Sequence, residues 1–229
     1  SKLSKEELPA HIGALMSAFQ RHQLGKPHNY YDIIHSHYWI SGQLGWMISE
    51  RTGVPLVHTM HTTAKVKNLS LADGDTREPL IRELGEQQLV DNAEALIVNT
   101  DSEGAALVSL YGANPDKVHV VTPGVDLEQF NVGERKKSDK FTIYFVGRIQ
   151  PHKGPEVLIR AVNEMMSHNP ELRANLQVLI TGGASGVKNH EDIRLQELVN
   201  WLKLDDVIKF LEPIERESLP DLYRASDLV

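Results

Sequence analysis

The chain has 229 residues and a formal net charge of −7, and hydrophobic and charged residues make up 41% and 24% of it. These proportions are ordinary for one large or two medium globular domains, and the acidic balance argues against broad binding to nucleic acid or anionic membranes. The absence of cysteine excludes disulfides, thiolate chemistry and cysteine-based zinc sites. No signal peptide is visible and no apolar run approaches the roughly 20 residues that span a bilayer, so we expect a cytoplasmic protein without stable membrane insertion.

Strands and helices alternate through the first half of the chain. Residues 1–22 are expected to form a helix that no strand precedes. The predicted strands that follow are residues 31–37, 55–61, 95–100 and 118–123, and the predicted helices are residues 42–51, 79–92 and 102–111. A long polar segment, residues 62–77, leads into the second of these helices. This alternation predicts right-handed βαβ units and a parallel sheet.

The pattern restarts after a polar stretch. Residues 128–140 are rich in charge and predict a linker, so we expect one domain over residues 1–133 and another over 134–229. Strands are predicted over residues 141–146, 176–181 and 207–211, each followed by a helix. Residues 221–225 are expected to be helical, and residues 227–229 fall where another strand should begin. The fold class is therefore α/β with two Rossmann-like domains, and both ends look cut, so we expect a fragment with both domains incomplete.

A short loop after residues 141–146 brings glycine and cations together. Gly147 and Arg148 follow the strand directly, and Lys153 and Gly154 precede a predicted helix whose apolar positions begin at Val157. Backbone N–H groups at a helix start favour an anion, and Arg and Lys reinforce that preference. The loop is therefore predicted to bind a diphosphate, although the same sequence is also expected where Arg and Lys are simply solvated in a loop.

Histidines collect where two predicted strands end. His35 and His37 share one strand face, and His58 and His61 come from the next strand. A metal site is the weaker interpretation, because no nearby Asp or Glu completes a hydrolytic centre and alternate histidines on a strand are often simply packed.

A glycine pair follows the strand at residues 176–181. Gly182 and Gly183 would let a nucleotide approach the backbone, although a tight turn explains them equally well. They do not form the Gly-x-Gly-x-x-Gly fingerprint, so a dehydrogenase loses its main support.

Together these motifs resemble a known family. Residues 146–154, the glycines at 182–183, residues 210–213 and residues 222–229 look like the donor half of retaining GT-B glycosyltransferases of family 4. Residues 35–42, 57–62, 66–68 and 86–91 resemble the family members of the mycothiol pathway. The resemblance covers essentially the whole chain. It implies a hexosyltransferase that moves N-acetylglucosamine from UDP-GlcNAc to 1D-myo-inositol 3-phosphate, in a cleft between two parallel sheets.

The resemblance also implies roles for individual residues. Arg148 and Lys153 would bind the donor diphosphate and stabilise the leaving UDP, next to the loop glycines Gly147, Gly182 and Gly183. His61 would lie beside the transferred sugar at the reaction centre. The residues that would bind the acceptor's inositol phosphate are Lys5, Tyr38, Thr62 and Arg82. Judged without the resemblance, Lys5 and Arg82 would be solvated helix residues, Tyr38 a core-edge aromatic and His61 a packed strand-end histidine.

Cofactor and partner expectations follow from the same resemblance. The chemistry requires no cofactor beyond the UDP-sugar donor, and a structural Mg²⁺ would be held by backbone carbonyls of Tyr223, Arg224 and Ser226. Relatives often form dimers, which allows a homodimer here. The family's first strand with its Gly-Gly loop and its Glu-x7-Glu motif are not in the sequence, so we expect the chain by itself to be inactive.

Three alternatives stay open. One is a family 4 enzyme with another donor or acceptor, such as a sucrose-type or lipid-linked acceptor. Another is a non-catalytic nucleotide-sugar binding module. The last, a metal hydrolase, ranks below both.

Overall fold

A computed structural model describes residues 7–27, 30–71, 75–134, 138–183 and 191–229. It contains two compact units, the first formed by Ser1–Leu71 with Thr76–Gly124 and the second by Ala72–Asp75 with Val125–Val229. The domain bounds expected from the sequence, 1–133 and 134–229, stay a prediction.

The first unit contains a parallel sheet of four strands. In chain order and in spatial order these are β1 (Ile34–His37), β2 (Leu56–Thr59), β3 (Ala95–Val98) and β4 (Val118–Val120). Each lies within a predicted strand but is shorter. The predictions for β2, β3 and β4 extended beyond the carboxyl ends of these strands, whereas the prediction for β1 began three residues too early. The sheet therefore places several polar side chains along one edge.

Within the described residues of this unit, five α-helices accompany the sheet. They are α1 (Ile12–Gln23), α2 (Trp39–Thr52), α3 (Ala64–Leu69), α4 (Leu80–Asn92) and α5 (Asp101–Tyr111). Residues 1–6 of the helix predicted over residues 1–22 lie outside the described residues; the rest of it contains a 3₁₀ turn over Leu8–His11, which includes Pro9, followed directly by α1. Helix α3 was not predicted, because its six residues lie within a segment that is polar over most of its length.

Two glycines let α2 approach the sheet closely. A Cβ atom on Gly42 would lie 2.4 Å from Leu89 and 2.7 Å from the His58 ring, and one on Gly45 would lie 3.0 Å from Leu56. Close packing of α2 fixes its first turn, which follows directly from β1. The core around it is continuous, and its buried residues are Trp39, Ile40, Leu56, Met60, Leu89, Val90, Ala93, Leu96, Val98, Leu107, Tyr111 and Ala113.

Helix α5 is delimited by side-chain and backbone caps. The Thr100 hydroxyl accepts a hydrogen bond from the backbone N–H of Glu103 at 3.2 Å, and the Glu103 carboxylate accepts one from the backbone N–H of Asn99 at 2.7 Å. Gly112 ends the helix with φ +64°, a conformation that glycine adopts without strain.

The second unit contains a separate parallel sheet. Its strands are β5 (Phe141–Val146), β6 (Leu176–Thr181) and β7 (Ile208–Leu211), in that spatial order. Leu228 adds an isolated parallel bridge to Ile143, and the Tyr144 N–H donates to the Leu228 carbonyl at 2.8 Å. Residues near 228 therefore begin to pair with β5, as expected for a strand starting there.

The helices of this unit are α6 (Pro155–His168), α7 (Glu191–Trp201) and α8 (Leu219–Ala225). On α6 the buried side chains beyond Pro155 are Ile159, Val162 and Met166, whereas Val157 is 70% exposed. The apolar positions read from the sequence therefore included one that faces solvent. Trp201, at the end of α7, is 75% exposed.

Candidate active site

Backbone strain marks the ends of β1 and β2. Tyr38 follows β1 with φ 69°, and His61 lies two residues beyond β2 with φ 58°. Lys203 is the one further non-glycine residue with positive φ in the described part of the chain. Such conformations cost of order 1–3 kcal/mol and persist where surrounding structure fixes them, often at functional sites. The two parallel strands pair directly, so their strained ends belong to the same sheet edge.

Three histidines form a chain at this edge. The rings of His35 and His37 have centroids 4.3 Å apart, and the Nδ1 atom of His37 lies 2.9 Å from the Nε2 atom of His61. The Nε2 atom of His35 is bonded at 2.8 Å to the Thr59 hydroxyl. Desolvation, followed by the charges of His37 and His61, lowers the pKa of His35. Protonation of the His35 ring is therefore disfavoured.

His58 points to the other side of the sheet. It is fully buried, and its Nδ1 atom is bonded at 2.8 Å to the Ser36 hydroxyl. Burial, with smaller contributions from His37, His61 and His35, lowers its pKa to about 4, so the ring is neutral at pH 7. His58 thus does not join the exposed histidines, and among the described residues no group of three or more potential metal ligands is assembled.

Arg82 is the most deeply buried cation next to these strand ends. Its side chain is 1% exposed, with Nε 2.7 Å from Glu86 and Nη1 2.9 Å from Glu78. Its Nη2 group donates at 3.0 Å to both the carbonyl and the hydroxyl of Thr62. Desolvation lowers the pKa of Arg82, but the charge of Glu86 and the hydrogen bond to it, together with Tyr38 and Glu78, outweigh desolvation, so the pKa is raised. Arg82 is therefore a buried ion-pair residue and not a solvated helix residue.

Glu86 connects Arg82 to the loop after β2. One carboxylate oxygen accepts from Arg82, and the other accepts from the backbone N–H of Ala64 at 2.8 Å and from the Tyr111 hydroxyl at 2.5 Å. Burial and the bond to Glu86 raise the pKa of Tyr111. Both oxygens of a buried carboxylate are thus satisfied, which is the condition under which such a charge is tolerated. The network holds the segment from Thr62 to Lys65 against α4 and α5.

A small cavity of about 150 Å³ opens beside Arg82. Its lining residues are Pro9, Tyr38, Trp39, Glu78, Pro79, Ile81 and Arg82. The Arg82 guanidinium lies 4.9 Å from the centroid of the Tyr38 ring, a cation–π arrangement. Three of the predicted acceptor residues, Tyr38, Thr62 and Arg82, are therefore neighbours in the fold, whereas Lys5 lies outside the described residues.

His61 and Thr62 also line a second cavity of about 270 Å³. The rest of its wall comes from α3, β3 and α5, and the residues are Thr63, Val66, Lys67, Val98, Ser102, Glu103, Ala106 and Leu107. His61 and Thr62 are both exposed. The loop after β2 is thus accessible on the surface of the first unit.

In the second unit the predicted donor loop joins two strand ends. The Gly147 N–H donates to the Thr181 carbonyl at 3.1 Å, and the Ile149 N–H donates to the Gly183 carbonyl at 3.3 Å. A Cβ atom on Gly182 would lie 1.6 Å from the Gly147 carbonyl oxygen, so only glycine fits there. The structure therefore brings Gly147, Gly182 and Gly183 together.

The two predicted donor cations lie on the loop after β5. Arg148 and Lys153 are both exposed, and Lys153 closes a 3₁₀ turn over Pro151–Lys153. Gly154 follows with φ +75°, and α6 begins at Pro155. The loop therefore presents a cation immediately before a helix N-terminus, where the helix dipole favours negative charge.

The proposed cation ligands lie at the end of α8. The Ser226 N–H donates to the Tyr223 carbonyl at 3.2 Å, and the Ser226 hydroxyl donates to the Leu222 carbonyl at 2.7 Å. The carbonyls of Tyr223, Arg224 and Ser226 fit a hard cation only through the partial negative charge of a helix C-terminus. The Mg²⁺ stays a prediction.

Sequence reasoning missed several of these residues. Glu78, Glu86 and Tyr111 were not singled out, although Glu78, Arg82 and Glu86 follow one another at helical i,i+4 spacing. That spacing was the available signal for an ion-pair series. The strain at Tyr38 had no sequence signal, and the signal at His61 was only the enrichment of histidine among non-glycine residues with positive φ.

Two family models together match residues 5–229. The model described as Glycosyltransferase Family 4 matches residues 5–129, and the one described as Glycosyl transferases group 1 matches residues 127–229. Both sheets, with the strained residues and the glycine contact described above, therefore lie within residues that match glycosyltransferase models. The chain belongs to glycosyltransferase family 4.

Two curated relatives are 47% and 49% identical to the chain. The chain is 49% identical over 235 residues to the D-inositol 3-phosphate glycosyltransferase of Kribbella flavida, covering 99% of this chain and 55% of the relative. It is 47% identical over 234 residues to D-inositol 3-phosphate glycosyltransferase 2 of Catenulispora acidiphila, with the same coverage. The chain therefore spans about half the length of the curated relatives it matches.

Solved structures establish the fold. Sucrose-phosphate synthase from Thermosynechococcus elongatus superposes with a TM-score of 0.80 at 24% identity, over 99% of this chain and 56% of that one. Anabaena HepE in complex with UDP gives a TM-score of 0.72 at 18% identity, over 93% of this chain and 55% of that one. The predicted GT-B class, with two parallel α/β sheets, is confirmed. Within the described residues, no helix combines the length and apolar character needed to cross a membrane.

Proposed function

We propose that the protein containing this chain is a retaining glycosyltransferase that moves N-acetylglucosamine from UDP-GlcNAc to 1D-myo-inositol 3-phosphate. The names of the curated relatives support the acceptor, since both are D-inositol 3-phosphate glycosyltransferases. The complex of HepE with UDP supports a uridine nucleotide in a protein of this fold.

The observation that carries the proposal is the grouping of Tyr38, Thr62 and Arg82, of which Tyr38 and Arg82 line a small cavity. Arg82 binds Thr62 directly and lies over the Tyr38 ring. A guanidinium and two hydroxyl-bearing side chains are a set that recognises a phosphorylated polyol. Charge-assisted hydrogen bonds contribute roughly 1.5–3 kcal/mol each, so losing one would weaken acceptor binding by about one to two decades.

The proposed reaction breaks the bond between the sugar's anomeric carbon and the UDP oxygen. The bonding electron pair leaves with UDP, the oxygen of an acceptor hydroxyl forms the new bond on the face from which UDP departs, and the hydroxyl proton passes to the departing diphosphate oxygen. Arg148 and Lys153 would stabilise the charge that develops on the diphosphate, and this would be the protein's main contribution. His61 would lie beside the transferred sugar.

The test measures UDP release by the complete natural gene product. It receives UDP-GlcNAc with inositol 3-phosphate, free inositol or fructose 6-phosphate. Release that depends on inositol phosphate supports the proposal. Release with another acceptor would retain the family and reject this substrate, and binding of UDP-GlcNAc without any release would favour a binding module.

A matched pair of variants tests the diphosphate role. Lys153→Ala in the complete protein is expected to lower kcat by about a hundredfold or more, because it removes a charge that stabilises the leaving group. Lys209→Ala removes an exposed lysine from β7 of the same unit and should leave kcat unchanged. Near-normal turnover by Lys153→Ala would reject the role.

A further inference from the structure

Glu78 already places an anion at the cavity beside Arg82. Its Oε1 atom lies 2.9 Å from the Nη1 atom of Arg82 and 3.0 Å from the Lys67 ammonium group. The Glu78 side chain is only 8% exposed and lines the cavity together with Tyr38 and Arg82. A carboxylate thus occupies the position where two cations would meet a ligand's negative charge.

The contact between Glu78 and Arg82 differs in geometry from the other contacts of Arg82. The Nε and Nη2 groups make aligned hydrogen bonds to Glu86 and Thr62. Nη1 is buried, and among the described residues no acceptor meets it in hydrogen-bond geometry, although Glu78 lies within ion-pair distance. Arg82 therefore has donor capacity left on the one nitrogen that faces Glu78.

The backbone of Glu78 is held independently of its carboxylate. Asn68 accepts from the Glu78 N–H at 2.8 Å and donates to the Glu78 carbonyl at 3.2 Å. Pro79 follows and precedes the first residue of α4. The two bonds with Asn68 hold the Glu78 backbone without using its carboxylate.

We propose that Glu78 is an internal competitor for the anion site, and that the acceptor's phosphate displaces its carboxylate from Arg82 and Lys67. This inference rests on the proposed function for the identity of the phosphate. A phosphate monoester carries up to two negative charges and three acceptor oxygens, against one charge and two oxygens for the carboxylate. The exchange is therefore favourable for a phosphorylated ligand.

Displacement makes Glu78 a specificity-determining residue. A neutral polyol has no charge with which to replace the carboxylate, so Arg82 and Lys67 stay paired with Glu78 and contribute nothing to its binding. Partial burial acts to raise the pKa of Glu78, but Lys67 and Arg82 outweigh it, so the pKa is lowered and the competitor stays ionised at neutral pH. The site thereby discriminates against unphosphorylated acceptors.

The test uses inorganic phosphate as the probe and the complete protein, with affinity measured by calorimetry. Glu78→Gln removes the competing charge but keeps the side-chain length, and we expect it to bind phosphate at least about fivefold more tightly than the wild type. Glu83→Gln is the matched control, since Glu83 lies in the first turn of α4, close to Glu78 in the chain, and accepts from Asn68 at 2.7 Å. Its phosphate affinity should stay within about twofold of the wild type.

Two further measurements keep the result decisive. Adding Arg82→Met to Glu78→Gln should abolish the gain, which locates the bound phosphate at Arg82. Glu78→Met replaces the first variant if Glu78→Gln fails to fold. Unchanged or weaker phosphate binding in a folded Glu78 variant would overturn the inference, because Glu78 would then orient Arg82 instead of competing for it.

Phosphate binding needs neither the sugar donor nor turnover, so this result is independent of the transferase assay. Tighter phosphate binding without any sugar transfer would reject the proposed function and leave the anion exchange intact. Transfer to inositol phosphate without tighter phosphate binding in the Glu78 variant would support the proposed function and reject the anion exchange. In an active protein, Glu78→Gln should also lower the KM for the phosphorylated acceptor, with little change for free inositol.

Discussion

The Nδ1 atom of His37 and the Nε2 atom of His61 lie 2.9 Å apart, which links the ends of two neighbouring parallel strands. The rings are also nearly parallel, with an interplanar angle of 29° and centroids 5.1 Å apart. One ring nitrogen must donate and the other accept, so the bond fixes the tautomer of each ring relative to the other. His37 is therefore a positioning residue for the strained His61.

Replacing His37 tests this role. In the complete protein we expect His37→Leu to lower kcat by about tenfold or more, because His61 loses the bond that orients its ring. His37→Asn retains a donor and an acceptor and should recover part of the loss. Steady-state kinetics separates kcat from the acceptor KM, which should change less.

His119→Leu is the matched control for this pair. It removes an exposed histidine from β4 of the same sheet. Equal kcat losses for the His37 and His119 variants would mean that general damage to the sheet, and not the ring-to-ring bond, explains the effect.

Buried His58 predicts acid sensitivity of the first unit. The folded pKa is about 4, below the ordinary value of 6.5, so protons bind the unfolded chain more readily. The free energy of unfolding should be insensitive to this group above pH 6.5 and should fall as pH drops from 6.5 towards 4. The loss by pH 4 is about 3 kcal/mol, from about 1.4 kcal/mol per pKa unit.

Urea unfolding between pH 7 and 4 measures this dependence. His58→Gln removes the titrating ring and should flatten the curve between pH 6.5 and 4.5, and His119→Gln should leave it unchanged. Below pH 4.5 paired carboxylates also protonate, so the comparison is confined to the higher range. Identical slopes for the wild type and His58→Gln would contradict the prediction.

The buried network around Glu86 predicts a large loss on breaking it. Glu86→Gln leaves the Arg82 charge without its main partner and should lower the free energy of unfolding by about 3–5 kcal/mol. Tyr111→Phe removes one donor to Glu86 and should cost about 1–3 kcal/mol. Glu83→Gln, on the same helix, provides the reference in denaturant titrations. A Glu86→Gln protein as stable as Glu83→Gln would refute the network's structural role.

Replacing Gly182 or Gly183 by alanine should have different effects on the stability of the second unit. A Cβ atom on Gly182 would overlap the Gly147 carbonyl at 1.6 Å, whereas one on Gly183 would meet its nearest neighbour, Pro213, at 4.0 Å. We expect Gly182→Ala to destabilise the unit by about 3 kcal/mol or more. Gly183→Ala should change stability by less than about 1 kcal/mol. Thermal unfolding distinguishes them, and similar midpoints would show that the backbone relaxes freely at Gly182.

Much of the fold was predictable from the sequence. Apolar runs followed by polar tips located every strand, and β5 and β6 were bounded correctly because Phe141–Val146 and Leu176–Thr181 are apolar over most of their length. The short helix α3 was missed, because its six residues offer too few apolar positions to show a helical period.

The site was predictable only in part. Tyr38, His61 and Thr62 could be chosen because they follow strands, and parallel strands end at one edge. Burial of Arg82 and His58 depends on contacts with residues far away in the chain, such as Thr62 with Arg82 and Ser36 with His58. Local sequence patterns do not predict contacts between residues far apart in the chain, so both residues were expected to be more accessible than they are.

The tryptophans have unequal surroundings, and this determines what light emission reports. Trp39 belongs to the core of the first unit and the indole nitrogen of Trp46 is buried, whereas Trp201 in the second unit is already 75% exposed. The fluorescence of these three side chains will therefore shift to longer wavelength mainly when the first unit opens. Unfolding of the second unit would change the tryptophan fluorescence very little. Circular dichroism or calorimetry must therefore accompany fluorescence in each of the stability experiments.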